Sequence, residues 1–132
     1  IDSTGSVTFG GFPSRRYIPG LGASIKPPIF DEKLPIKRYY IDEIDTVRQC
    51  RRIAQAEGFL PGGSTGTVLA AFDALRDKIP EESRVVVISP DIGERYLDGV
   101  YDDDWVMEKF GESAFNYAIR PVAHEVKEMG GI

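Results

Sequence analysis

Ser64 has the setting that most suggests chemistry. It stands in Gly62-Gly63-Ser64-Thr65-Gly66, a glycine-rich turn that runs into an amphipathic segment. Two glycines ahead of a hydroxyl residue let the backbone turn tightly and come close to something flat or anionic, and the following helix aims its free N–H groups the same way. The same residues also read as an ordinary loop followed by a helix cap. One hydroxyl can serve both ends, donating to a ligand while its lone pairs accept a backbone N–H.

The other reactive residue types read more plainly. Asp102-Asp103-Asp104 is explained by the preference for negative charge at a helix start, with Asp102 or Asp103 as the cap, so no metal site is expected there. His124 is the only histidine and lies in a polar stretch near the C-terminus. It is expected to be exposed and idle, because a general base needs an orienting partner and a cleft. Cys50 falls on an apolar helical stripe and reads as a core thiol. Arg15-Arg16 reads as a solvated basic pair.

The elements that must position Ser64 follow from periodicity. Residues 5–31 are rich in Gly and Pro and form an ordered loop, in which Gly20-Leu21-Gly22-Ala23-Ser24 is either a tight turn or a bulk-free pocket wall. A short strand is expected over 36–41, a turn over 42–45, and a helix from Thr46, capped by Asp45 and closed by Gly58. Val68, Ala71, Phe72, Leu75 and Ile79 predict a second helix that stops at Pro80. Val85 to Ile88 is a continuous apolar run of the kind buried on both faces of a parallel sheet, and Pro90-Asp91-Ile92-Gly93 ends it. Ligands of open α/β sheets gather at the carboxyl ends of strands, so loops 62–66 and 90–93 are expected to face one cleft. Short helices are expected over 94–98 and 104–110, with Trp105 and Phe110 packing inward. The fold class is α/β: an open, mostly parallel twisted sheet flanked by helices.

Bulk properties narrow the function. The chain has 132 residues, 42% of them hydrophobic, and a net charge of −5. That suits one globular domain and offers no basic footprint for nucleic acid or an anionic membrane, so neither partner is expected. No apolar run reaches the length of a membrane span and no signal-peptide pattern opens the chain, so a cytoplasmic setting is expected. The chain starts on Ile1 in what reads as the end of a strand, and it is expected to be a segment of something longer.

Three motifs in order, GLGAS at 20–24, EGFLPGGSTG at 57–66 and VVVISPDIGERYLD at 85–98, resemble the C-terminal part of the cysteine synthase family of pyridoxal-phosphate enzymes, a tryptophan synthase β-subunit-like fold. The resemblance runs from Ile1 to about Phe110. Within the family, SVTFGG at 6–11, GGSTG where other members carry a GISSG-like form, and YLDGVYDDDW at 96–105 are most similar to the N-(2-amino-2-carboxyethyl)-L-glutamate synthase branch. That branch joins O-phospho-L-serine to L-glutamate in 2,3-diaminopropionate and siderophore synthesis.

The resemblance implies pyridoxal 5'-phosphate as cofactor and a β-replacement reaction on amino-acid substrates. It makes Ser64 the hydroxyl facing the pyridine nitrogen, with Gly63, Thr65, Pro90 and Asp91 near the same ring edge. Gly20, Leu21, Gly22 and Ala23 would line the substrate side of the pocket. A carboxylate at Ser64 would hold the ring nitrogen protonated, whereas a neutral hydroxyl leaves it closer to neutral, which suits loss of a good β-leaving group. Ile92 stands where relatives often carry a polar residue.

The family's cofactor-holding lysine, asparagine loop and phosphate cradle have no counterpart here. No catalytic residue is therefore assigned, and the chain alone is expected neither to hold the cofactor covalently nor to catalyse. Residues 1–132 would be the C-terminal portion of the large cofactor-binding domain, with 111–132 a C-terminal tail. The expected partner is the missing N-terminal part of the same enzyme or a second chain, in a homodimer. The alternatives are a segment of an O-acetylserine sulfhydrylase and a non-catalytic module that pairs with a second chain.

Overall fold

The computed structural model describes residues 1–127. Its strands are β1 (Asp2–Ser3), β2 (Tyr39–Ile41) and β3 (Ala123–Glu125), and its α-helices are α1 (Glu43–Glu57), α2 (Gly63–Leu75) and α3 (Asp103–Phe110). The sheet order is β1-β2-β3, with β1 parallel and β3 antiparallel to β2. The open α/β class holds, and the described sheet is mixed. Residues 5–31 form an ordered loop without helix or strand, as their Gly and Pro content requires.

The two long helices pack closely. Gly66 permits this, because a Cβ there would overlap the Cys50 sulfur and stand 2.9 Å from the Thr46 carbonyl oxygen. At the crossing, the buried hydroxyls of Thr46 and Thr67 are 2.8 Å apart. Val47 and Cys50 of α1 join Ile18, Leu21, Val100, Val106 and Ala114 in the main core, and Trp105 and Phe110 pack on its rim. Ile41, Ala70 and Ala71 form a smaller core between α2 and the sheet.

Several expectations are corrected. Helix α1 begins at Glu43, with Asp42 in the extended cap position, because Asp45 is otherwise engaged: one oxygen pairs with Arg48 at 2.9 Å and the other accepts the Val122 N–H at 3.1 Å. Helix α2 is capped by Gly62, leaving Ser64 as its second residue. Val85 to Ile88 has no regular secondary structure and no partner strand among the described residues, and it is exposed. Burial of such a run needs a neighbour on its edge and a layer on each face, and among the described residues α2 and Ile1 only line an open groove beside it. His124 is not idle: it lies in β3, opposite Tyr40, with Nε2 3.2 Å from the Asp42 carboxylate. Residues 112–115 form a 3-10 turn and 123–125 a strand, so much of the expected tail packs on the body, while 128–132 lie outside the described residues. Gly93–Tyr96 is likewise a 3-10 turn, and Asp102 caps α3 by accepting the Trp105 N–H at 2.7 Å.

Candidate functional site

The start of α2 is fastened to the loop that follows Val85 to Ile88. The Gly62 N–H donates to the Asp91 carbonyl at 3.2 Å and the Gly93 N–H to the Leu60 carbonyl at 2.6 Å, and Pro61 bridges Ile92 across the gap. The hydroxyls of Thr65 and Ser89 are 2.8 Å apart. Loops 62–66 and 90–93, expected to face one cleft, are in direct contact. Glycine at 62 makes room for Asp91, because a Cβ there would overlap the Asp91 carboxylate and stand 3.0 Å from its carbonyl oxygen. A Cβ on Gly63 would stand 2.8 Å from Ile18 Cγ2 and 3.4 Å from the Tyr96 ring.

Asp91 is tied to its own loop. The Tyr96 hydroxyl donates to Asp91 Oδ2 at 2.8 Å, while Oδ1 is buried without a partner among the described residues. Burial, then the Asp91 carboxylate, raises the Tyr96 phenol above its ordinary value and keeps it a donor.

Behind the turn lies an inert wall. Burial pushes the Cys50 thiol up to about 12, and burial first, then Cys50, pushes the Tyr101 phenol far above its usual value. Tyr101 donates to the Pro61 carbonyl. These groups stay protonated and position the turn without titrating at neutral pH.

Ser64 differs from its neighbours. It is half-buried on the second position of α2, and its hydroxyl makes no hydrogen bond among the described residues. The first helix N–H to reach a carbonyl of the turn is that of Gly66, on Gly62 at 3.1 Å. The helix start is therefore rich in donors and carries the positive end of the dipole. A free hydroxyl there can donate to an uncharged aromatic nitrogen, so the residues present fit the pyridine edge of pyridoxal phosphate.

The other expected residues divide. Gly63 and Thr65 are buried beside Ser64, with Thr65 committed to Ser89. Pro90 is exposed next to Asp91. Gly20, Leu21, Gly22 and Ala23 lie in a separate loop: Gly20 and Gly22 take left-handed φ values of 74° and 72°, and Leu21 is buried in the core. Ala23 is pinned by its N–H on the Ser6 hydroxyl at 2.8 Å. This loop reaches the α2 start through Ile18 and not through its glycines.

Sequence reasoning missed Glu43. This buried carboxylate accepts the N–H of Tyr17 at 2.9 Å and of Ile18 at 2.8 Å, so it sets where Ile18 meets Gly63. Arg16 was also underread, since its guanidinium binds the Leu21 carbonyl at 3.0 Å and the Ser24 hydroxyl at 2.8 Å. Both contacts cross loops of no regular period, and only the presence of a carboxylate and a guanidinium near a Gly/Pro-rich stretch hinted at them.

Comparison with known proteins identifies the family. Residues 1–91 match the family described as "Pyridoxal-phosphate dependent enzyme". An N-(2-amino-2-carboxyethyl)-L-glutamate synthase of Ralstonia nicotianae is 42% identical over 106 residues, which cover 80% of this chain and 31% of that protein. Among solved structures, an O-acetylserine dependent cystathionine beta-synthase from Helicobacter pylori superposes with a TM-score of 0.65 at 35% identity, over 76% of this chain and 33% of its own. An O-ureido-L-serine-bound variant of O-ureido-L-serine synthase gives a TM-score of 0.68 at 26% identity, over 81% of this chain and 36% of its own. The chain thus spans about a third of the length of each relative.

Proposed function

The chain belongs to the pyridoxal-phosphate dependent enzyme family, and on that footing we propose that it forms the pyridine-edge segment of a synthase that replaces the phosphate of O-phospho-L-serine with L-glutamate. The observation that carries the proposal is the uncommitted Ser64 hydroxyl at the donor-rich start of α2. The substrate pair is supported by the 42% identity to an enzyme that bears that product's name. In this reading the product feeds 2,3-diaminopropionate and siderophore synthesis, and the whole enzyme is a cytoplasmic homodimer.

When bound, pyridoxal phosphate supplies the electron sink that lets an amino acid shed its α-proton and its β-substituent. The chain's own residues set the character of that sink. Ser64 would donate a hydrogen bond toward the ring nitrogen, and the positive end of α2 would disfavour a second positive charge there. Asp91 would favour a charged nitrogen, but its Oδ2 is occupied by the Tyr96 hydroxyl and its Oδ1 is buried against Gly62. Thr65, Ser89 and the Gly62 N–H hold the loop in place. Ser64 would therefore offer the ring nitrogen a neutral donor, and the neutral ring that this favours would suit release of a good β-leaving group.

The test is product identification with the complete enzyme. O-phospho-L-serine plus L-glutamate should yield N-(2-amino-2-carboxyethyl)-L-glutamate, with inorganic phosphate released in equal amount. The 35% identity to an O-acetylserine dependent enzyme supports a second reading, in which O-acetylserine plus sulfide yields cysteine. Turnover of that pair alone would replace the proposal, and turnover of neither pair would point to a non-catalytic module.

A further inference from the structure

A cleft of about 170 Å³ opens beside the turn that carries Ser64, lined by the aromatic residues Tyr17, Tyr96 and Trp105 and by the charged residues Arg95 and Asp98. Each aromatic wall is fixed from behind. The Tyr17 N–H is held by Glu43 at 2.9 Å, the Tyr96 hydroxyl by Asp91 at 2.8 Å, and the Trp105 N–H by Asp102 at 2.7 Å. A cleft walled in this way is organised before anything enters it.

Its two charged residues are not committed. Arg95 and Asp98 are both exposed and stand three positions apart, yet they form no ion pair with each other or with any other described residue. The Tyr17 ring already carries Arg15 at 5.2 Å and Lys109 at 5.6 Å, which leaves Tyr96 and Trp105 as the faces open to a further cation.

Opposite charges held apart in one aromatic cleft are the complement of a zwitterion. A guanidinium takes a carboxylate through two parallel hydrogen bonds. A carboxylate beside aromatic faces takes an ammonium. A lone anion would be opposed by Asp98 and a lone cation by Arg95. The volume is below the roughly 300–1,000 Å³ of sites for drug-sized ligands, so the ligand is small.

We infer that this cleft binds a small free α-amino acid, with its carboxylate on Arg95 and its ammonium between Asp98 and the faces of Tyr96 and Trp105. The inference rests on the lining of the cleft and does not require the cofactor reading of Ser64. It does connect the two places. Tyr96 walls the cleft, orients Asp91 through its hydroxyl and lies against Gly63, the residue before Ser64. An amino acid in the cleft therefore touches the side chain that positions the start of α2.

The test uses the complete enzyme with its cofactor reduced by borohydride, so that amino acids no longer exchange onto it. Trp105 is the only tryptophan of this chain, and the difference between the parent and Trp105→Phe isolates its fluorescence. L-alanine should change that fluorescence saturably, while acetate and ethylammonium, each with one of the two charges, should not. Arg95→Gln and Asp98→Asn remove no contact within the fold, and each should weaken L-alanine binding by about tenfold or more. No saturable change with L-alanine would overturn the inference, as would an equal response to acetate or ethylammonium, or binding that survives both substitutions. The readout needs no turnover, so its failure leaves the synthase reading standing, and failure of that reading leaves this one standing.

Discussion

The α-carbon of Gly62 lies so close to Oδ1 of Asp91 that any side chain on Gly62 would overlap the carboxylate. The glycine that opens α2 and the acid of the following loop are thus one packing unit, and Ser64 hangs from it. Gly62→Ala must displace either Asp91 or the start of α2, an overpacking cost of about 1–3 kcal/mol. Chemical denaturation should show that loss, while Gly99→Ala, whose nearest neighbour outside its own residues would be 3.8 Å away, should stay within about 0.5 kcal/mol of the parent.

Glu43 fixes the loop that carries Gly20 to Ala23. Glu43→Ala leaves the buried N–H of Ile18 and that of Tyr17 without their acceptor, at a cost of about 2–3 kcal/mol. Amide exchange should speed up at residues 17 and 18 while the α3 amides remain as slow as before relative to global stability. Unchanged exchange at Ile18 would show that the loop is held by Arg16 alone.

Cys50 gives the chain a pH limit. Its folded value of about 12 exceeds the unfolded value of 9.0, so the thiol's contribution is complete below the unfolded value. It is lost as pH rises through the window between the two, where the unfolded state sheds the proton first. Stability measured across that window should fall, and Cys50→Ala should flatten the Cys50 share of the fall while Tyr101 still contributes its own. At pH 8, iodoacetamide should leave Cys50 unmodified in the native chain and label it in denaturant.

How far the sequence was readable depended on range. The Gly62 to Gly66 turn and the Gly58 stop were legible because each is local and set by glycine geometry, whereas the stripe read for α2 was not the buried one: Val68, Phe72 and Leu75 line an open groove, Ala70 and Ala71 are buried, and the α-helix ends at Leu75, short of Pro80. The pairing of loops 62–66 and 90–93 was legible in outline, from the rule that strand ends share a cleft. The Gly62–Asp91 packing, the Glu43 contacts to Tyr17 and Ile18 and the Asp42–His124 pair were not, because each joins residues 25 or more positions apart by shape and charge that no period records. Val85 to Ile88 shows the opposite case. Its pattern describes a doubly covered strand, and the described residues leave it bare.

Without a lysine in a matching motif, the isolated chain should not retain cofactor. After incubation with pyridoxal 5'-phosphate and exhaustive dialysis, visible absorbance should fall to the buffer baseline, and borohydride reduction should label no lysine in stoichiometric amount. A retained band would place a cofactor-holding lysine within these residues.

Ser64 is the direct test of the central claim that this chain presents a neutral donor to the pyridine nitrogen. In the complete cofactor-loaded enzyme, Ser64→Asp should shift the cofactor's absorbance toward a protonated ring. It should also lower kcat by about tenfold or more, equivalent to roughly 1.4 kcal/mol of transition-state stabilisation, with the thermal midpoint little changed because the Ser64 side chain makes no hydrogen bond among the described residues. An unaltered spectrum together with unaltered turnover would contradict the account and remove Ser64 from the site.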